Sequence, residues 1–190
     1  MSGYGLLIVA RFRDGTVVGG TTADFREDRE SFHVVADGTA SPIRVAVEEL
    51  KAVFFVKTLI GNHVHQESKS FRHRAAEAGG RRKVWVEFLD GEELAGFTDA
   101  NDPALPGFFL YPADSQSNIE RAFVIRKAMR AHHENEAAEQ AALVHEGRPK
   151  DPRSAVGLSP DRWDEMLGIR PSPSRRGPAP RGKSYFLGDW

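Results

Sequence analysis

The sequence predicts a mainly β protein: two tandem small five-stranded barrels or half-barrels, followed by a C-terminal helix and a disordered tail. Three observations predict it. First, the stretch from Phe12 to Phe32 is written again 76 residues later. At that ungapped offset Phe12, Asp14, Gly15, Gly20, Thr22 and Phe32 meet Phe88, Asp90, Gly91, Gly96, Thr98 and Phe108. Second, each copy is a series of short apolar runs separated by turn residues at the close spacing of small all-β units. Third, the residues after the second copy change character, first to helix formers and then to Pro, Ser, Arg and Gly.

The first unit spans residues 5–60. Leu7-Ile8-Val9-Ala10 is apolar and continues into Phe12 flanked by Arg11 and Arg13, which reads as a strand. Asp14-Gly15 signals a tight hairpin, because both residues tolerate the positive φ such a turn requires. Thr16-Val17-Val18 is a β-branched return strand. Gly19-Gly20 within that strand points to a bulge or sharp bend. The charged run Asp24 to Glu30 is an exposed connection. Ser31–Val35 makes a third strand, with Phe32 and Val34 on one face. Ile43, Val45 and Val47 alternate in a fourth, and Leu50–Val56 makes a fifth that is apolar on both faces.

The second unit spans residues 83–130. Val84, Val86 and Phe88 alternate with Trp85 and Glu87. Asp90-Gly91 repeats the hairpin, Leu94 repeats Val18 and Gly96 repeats the bend. Phe108-Phe109-Leu110-Tyr111 is the third strand, Pro112–Asn118 a turn-rich loop, and Arg121–Ile125 the fourth strand. Beyond it the register drifts by one or two residues. Arg130-Ala131-His132-His133 cannot match the apolar Phe54-Phe55, so the fifth strand is expected to be short or replaced by helix.

Residues 61–82 form a linker with little apolar periodicity. Residues 131–169 form a helical extension. Ala, Glu, Gln and Met favour a helix from Lys127 to Glu146, and Met129, His133, Ala137, Ala141 and Val144 share a face. A second short helix is signalled by Ser159-Pro160-Asp161, with Trp163, Met166 and Leu167 as its apolar face. Residues 170–190 form a basic tail that cannot bury a core. The tail ends in the aromatic cluster Tyr185, Phe186, Leu187 and Trp190.

Composition narrows the function classes. Among 190 residues Lys plus Arg is 26 and Asp plus Glu is 27, a balance unlike the basic excess of a typical nucleic-acid domain. No cysteine is present, which excludes disulfides, cysteine metal sites and thiol chemistry. The apolar run Leu6–Ala10 is too short for a signal peptide or a membrane span, so a cytoplasmic protein without a membrane partner is expected.

The pattern apolar strand, Asp-Gly, four residues, Gly and bent strand resembles the first half of an Sm-like small barrel. It appears as Asp14-Gly15 to Gly20 and again as Asp90-Gly91 to Gly96, covering about 30 residues of each unit. The resemblance implies a fold. It does not carry RNA contacts, because that family's Asn before the third strand falls near Ser31 and Gly107, and its Ile-Arg-Gly segment has no counterpart. The Phe-x-Asp-Gly repeat together with Phe-Phe-Leu-Tyr-Pro-Ala-Asp also resembles a family of bacterial proteins without an assigned activity.

No catalytic arrangement emerges. His63-Val64-His65 has the spacing of two metal ligands on a strand, without a third ligand in fixed relation. His132-His133 read as solvent or interface residues. Asp14 and Asp90 are explained by their turns before any acid–base role is needed. Arg126-Lys127-Ala128-Met129-Arg130 and Pro152–Gly157 resemble the ligand motifs of PilZ cyclic-dinucleotide receptors, but Pro152 replaces the leading acid or amide. The sequence therefore predicts no enzyme, no metal and no cofactor. It predicts an interaction or regulatory module with a protein partner or a second copy of itself. Tyr185, Phe186, Leu187 and Trp190 are the candidate partner contacts, since aromatics dominate binding hot spots. The alternative is nucleic acid, bound through the basic linker and tail with Arg72, Arg74, Arg81, Arg82 and Lys83 as candidate phosphate contacts, and a cyclic dinucleotide held through Arg126 and Arg130 ranks after it.

Overall fold

A computed structural model describes residues 5–36, 39, 41–61, 65, 67–71, 79–99 and 102–145. Among these residues ten strands form one open antiparallel sheet, and one helix follows them. The first unit supplies β1 (Leu6–Phe12), β2 (Val17–Thr22), β3 (Ser31–Ala36), β4 (Pro42–Ala46) and β5 (Leu50–Val56). The second supplies β6 (Arg82–Phe88), β7 (Glu93–Thr98), β8 (Gly107–Pro112), β9 (Ile119–Ile125) and β10 (Met129–Glu134), then helix α1 (Asn135–His145). The order across the sheet is β10-β6-β7-β8-β9-β5-β1-β2-β3-β4. Each unit therefore runs fifth, first, second, third, fourth strand, and the two meet where β9 pairs with β5.

The repeated residues build this order. Gly15 (φ 89°) and Gly91 (φ 85°) adopt the left-handed backbone that closes the β1–β2 and β6–β7 hairpins. β2 pairs with β1 along its whole length but with β3 only at Gly20 and Thr21. β7 likewise reaches β8 only at Gly96 and Phe97. The strand is handed from one neighbour to the next at the glycine, where a side chain would collide with the carbonyl oxygen of Val35 or of Tyr111.

Two expectations need correction. The drift between copies is three residues, inserted between the third and fourth strands: Val34 pairs with Ile43, whereas the equivalent Leu110 pairs with Ala122. From there the offset is 79, and the single 3-10 turns Val47–Glu49 and Arg126–Ala128 coincide. The fifth strand of the second unit is present over its full six residues. Pairing with β6, from Met129↔Phe88 to Glu134↔Val84, overrides the helix preference of this segment, and the helix begins only after Asn135 turns the chain at φ 53°. The second expected helix lies outside the described residues.

The main core runs through both units, from Phe32 and Val34 through Val53, Phe54 and Phe123 to Val84, Val86 and Phe88. β5 is buried along all seven residues because it has a strand on each side and core on each face. A smaller core on the outer face of the second unit packs Phe71, Trp85, Ala95 and Phe97 under Ala138 and Ala142 of α1.

Candidate functional site

The junction between the two copies concentrates the buried charge of the described residues. Arg11 of β1 and Lys51 of β5 are 6% and 4% exposed, each within an otherwise apolar strand. Both reach the hairpin of the other unit. Arg11 Nη1 donates to both carboxylate oxygens of Glu92, at 2.8 and 2.7 Å. Lys51 Nζ donates to Glu92 and, at 2.6 Å, to Asp90 Oδ2, while lying 4.5 Å from the centre of the Phe88 ring. The other oxygen of Asp90 accepts the Glu92 backbone N–H at 3.0 Å, as Asp14 accepts that of Thr16 at 2.8 Å. The turn chemistry expected of both aspartates is therefore present, and Asp90 adds a bond across the junction.

Electrostatics follow from the geometry. Burial pushes the Glu92 carboxyl up, but the charges of Arg11 and Lys51 outweigh it and hold the group below 4.5. Asp90 behaves alike: burial raises it, and the bonds from Lys51 and the Glu92 backbone bring it below 3.8. At the other end of the β9–β5 pairing, Phe25 packs edge-on against Phe32, Phe55 and Phe123 at 5.0, 5.3 and 5.4 Å. The Arg121 guanidinium lies over Phe55 and Phe109 at 4.6 and 4.7 Å. Cations and carboxylates pair with each other here, and no nucleophile stands against a base. The cluster acts as a clamp.

A second constellation ties the linker to the second unit. Asp114 accepts from Ser68 N–H (2.7 Å) and Gln116 N–H (2.8 Å) and bonds His65 Nε2 at 2.8 Å. Ser117 Oγ donates to Glu67 at 2.6 Å and accepts from Ile119 N–H at 3.0 Å. Lys69 pairs with Glu93. A His–Asp pair beside a serine suggests acyl transfer, but the Ser117 proton points to Glu67 and not to His65. His63 lies outside the described residues, among which no cluster of three or more His, Asp or Glu is arranged for a metal.

The described part of the basic run is neutralised locally. Arg81 Nε bonds Asp99 at 2.7 Å and its guanidinium stacks 4.0 Å from the Tyr111 ring centre. Arg82 bonds Glu134 at 2.8 Å, and Lys83 pairs with Glu139 of α1. Arg72, Arg74, Tyr185, Phe186, Leu187, Trp190 and the Pro152–Gly157 segment lie outside the described residues. Arg126 donates to the Leu105 and Asp102 carbonyls, and Arg130 to Glu87 and the Leu89 carbonyl. His132 lies against the Phe108 ring at 5.4 Å and His133 against Trp85 at 5.6 Å.

Sequence reasoning missed the ionic junction. A signal existed: Lys51 is a lone charge inside Leu50–Val56, and a buried cation requires a carboxylate partner.

Fold and site define a duplicated antiparallel β protein whose copies are locked together by a shared strand pairing and a buried ion cluster. Residues 6–134, from the start of β1 to the end of β10, match DUF6982, a family of unknown function, and the chain belongs to that family. It is also similar to the large ribosomal subunit protein uL23 of Xanthomonas campestris pv. campestris (strain B100), with 38% identity over 65 residues. The proteins of the same name from Xanthomonas oryzae pv. oryzae (strain MAFF 311018) and Xanthomonas euvesicatoria pv. vesicatoria (strain 85-10) match equally. These alignments cover 33% of this chain and 63% of the ribosomal proteins, less than two thirds of their length. No solved structure matches the chain. No helix among the described residues is long and apolar enough to cross a membrane.

Proposed function

We propose that the chain is a non-enzymatic interaction module of the cytoplasm that binds a protein partner. In this reading its two units are small Sm-like barrels fused through one strand pairing. The identical strand order of the units and the glycine bend of each second strand support the Sm-like assignment. The observation that carries the protein-partner reading is the state of the basic run. Arg81, Arg82 and Lys83 each face a carboxylate of their own unit or of α1, so they do not form an open phosphate-binding face. The aromatic tail residues Tyr185, Phe186, Leu187 and Trp190 are then the contacts to test. Deleting residues 171–190 should abolish capture of the protein that co-purifies with the full chain; undiminished capture would remove the tail from the reading.

Nucleic acid is the second reading, and the likeness to large-subunit ribosomal proteins is the observation in its favour. A retardation assay through a salt series separates the two. Phosphate contacts give binding that weakens steeply with salt. No shift at the lowest salt leaves the protein partner alone.

A further inference from the structure

Among the described residues, the two outermost strands of the sheet are the two halves of the contact made at its centre. By the repeat, β9 corresponds to β4 and β5 to β10. A chain that pairs β9 with β5 internally thus ends in one strand of each kind, the arrangement that propagates head to tail between copies. We infer that both edges are built to stop that propagation, so that a partner meets one copy of the chain and a sheet that ends at ten strands.

The stop is visible residue by residue. At the centre Val53 stands opposite Phe123, Phe54 opposite Ala122 and Phe55 opposite Arg121. At the 79-residue offset Val53, Phe54 and Phe55 become His132, His133 and Glu134 on β10, and Phe123 becomes Arg44 on β4. A copied junction would set His132 against Arg44 of the next chain, where the existing one sets Val53 against Phe123. Water would have to leave an imidazole and a guanidinium where the centre buries two apolar side chains.

The backbone carries the same message. Val47 N–H donates to the Glu30 carbonyl at 2.8 Å. Antiparallel alternation then turns the amides of Val45 and Ile43 towards β3, and those of Ala46, Arg44 and Pro42 outwards. Pro42 has no N–H to offer, and it stands where Arg121 pairs with Phe55 in the centre. A proline and a charge on a short outer strand are the features that keep sheet edges from adding strands.

The ion clamp is reproduced only in part: Arg130 and Asp14 stand in the places of Lys51 and Asp90, but the other pair is lost. Thr16 replaces Glu92, and Glu87 replaces Arg11, at the 76-residue offset. Arg130, the counterpart of Lys51, is held by Glu87 at 2.7 Å on its own chain. The bond that joins Arg11 to Glu92 therefore has no equivalent at the outer edges.

The test uses the full chain and two edge variants. Sedimentation equilibrium from micromolar to submillimolar concentration should return the mass of one chain. Association accompanied by slowed amide exchange at Arg44 and Ala46 would overturn the inference. The first variant, Pro42→Arg with Arg44→Phe, restores the β9-like edge. The second, His132→Val with His133→Phe and Glu134→Phe, restores the β5-like edge. Each variant alone, once shown to be folded by circular dichroism, should remain a single copy. Mixing them should double the mass. Folded variants that stay apart on mixing would show that these residues are not what ends the sheet.

Discussion

Arg11 and Glu92 lie 81 positions apart in the chain and form a charged contact between the two copies of the repeat, Nη1 to Oε2 at 2.7 Å. Arg11 is almost fully buried and the Glu92 side chain keeps 21% of its exposure. Removing one member of such a pair leaves the other charge in an apolar site. Glu92→Gln is expected to destabilise the fold by the lower end of about 3–5 kcal/mol, since Asp90 still faces Lys51. Urea denaturation measures the loss. Because the pair spans both units, the transition should stay single and shift as a whole.

Phe123 on β9 is fully buried and touches Phe25 and Phe109 at ring distances of 5.4 and 5.2 Å. It belongs to the second unit, while Phe25 belongs to the first. Phe123→Ala should cost about 3–5 kcal/mol, because the cavity opens between strands that cannot close on it. Thermal unfolding of the two proteins side by side checks this. A loss below about 1 kcal/mol would mean that the junction does not rest on this cluster.

The repeat made much of the fold legible. Asp14-Gly15 and Asp90-Gly91 placed both hairpins, and Gly20 and Gly96 placed both bends, since each position has a local steric reason for its residue. What the sequence could not show was how the copies join. Val53 and Phe123 are ordinary apolar strand residues, and only the sheet order makes them neighbours. The β10 segment failed for a related reason. Met129 to Glu134 favours helix locally, and the strand forms because β6 offers a ladder that lies more than forty residues away in sequence. Arg81, Arg82 and Lys83 read as a cationic patch because their acceptors, Asp99, Glu134 and Glu139, come from three other places in the chain.

Glu67 sets a pH dependence opposite to that of the junction. Burial raises its carboxyl above 4.5, with the charges of Asp114 and Glu92 adding to it and the Ser117 hydrogen bond opposing. The folded chain thus holds this proton more tightly than the unfolded chain. Its contribution is complete below pH 4.5 and is lost as pH rises through the raised value. Glu92 and Asp90 are lowered instead, so their contributions are present above the usual carboxylate range and lost on acidification. Glu67→Gln keeps an oxygen for Ser117 and removes the titration. The fall in urea midpoint from pH 4.5 towards neutrality should flatten in the variant, while the acid limb stays unchanged. An unaltered profile above pH 4.5 would show that Glu67 is ionised in the fold.

Gly96 and Gly91 separate two reasons for glycine within one unit. At Gly91 the backbone is left-handed (φ 85°) but a Cβ would meet nothing within 4 Å. Gly91→Ala should therefore cost only the conformational penalty, about 1–2 kcal/mol. At Gly96 a Cβ would collide with the Tyr111 carbonyl oxygen and lie 2.8 Å from its carbon, and backbone in a paired strand cannot rotate away. Gly96→Ala has to part β7 from β8, where the two share only the pairs Gly96↔Pro112 and Phe97↔Tyr111. The expected cost reaches or exceeds the upper end of the about 1–3 kcal/mol typical of overpacking. Amide exchange adds a local readout: protection should fall in β7 and β8 first and remain in β1 and β5. If Gly91→Ala proves the more damaging change, the turn and not the bend limits the stability of the unit.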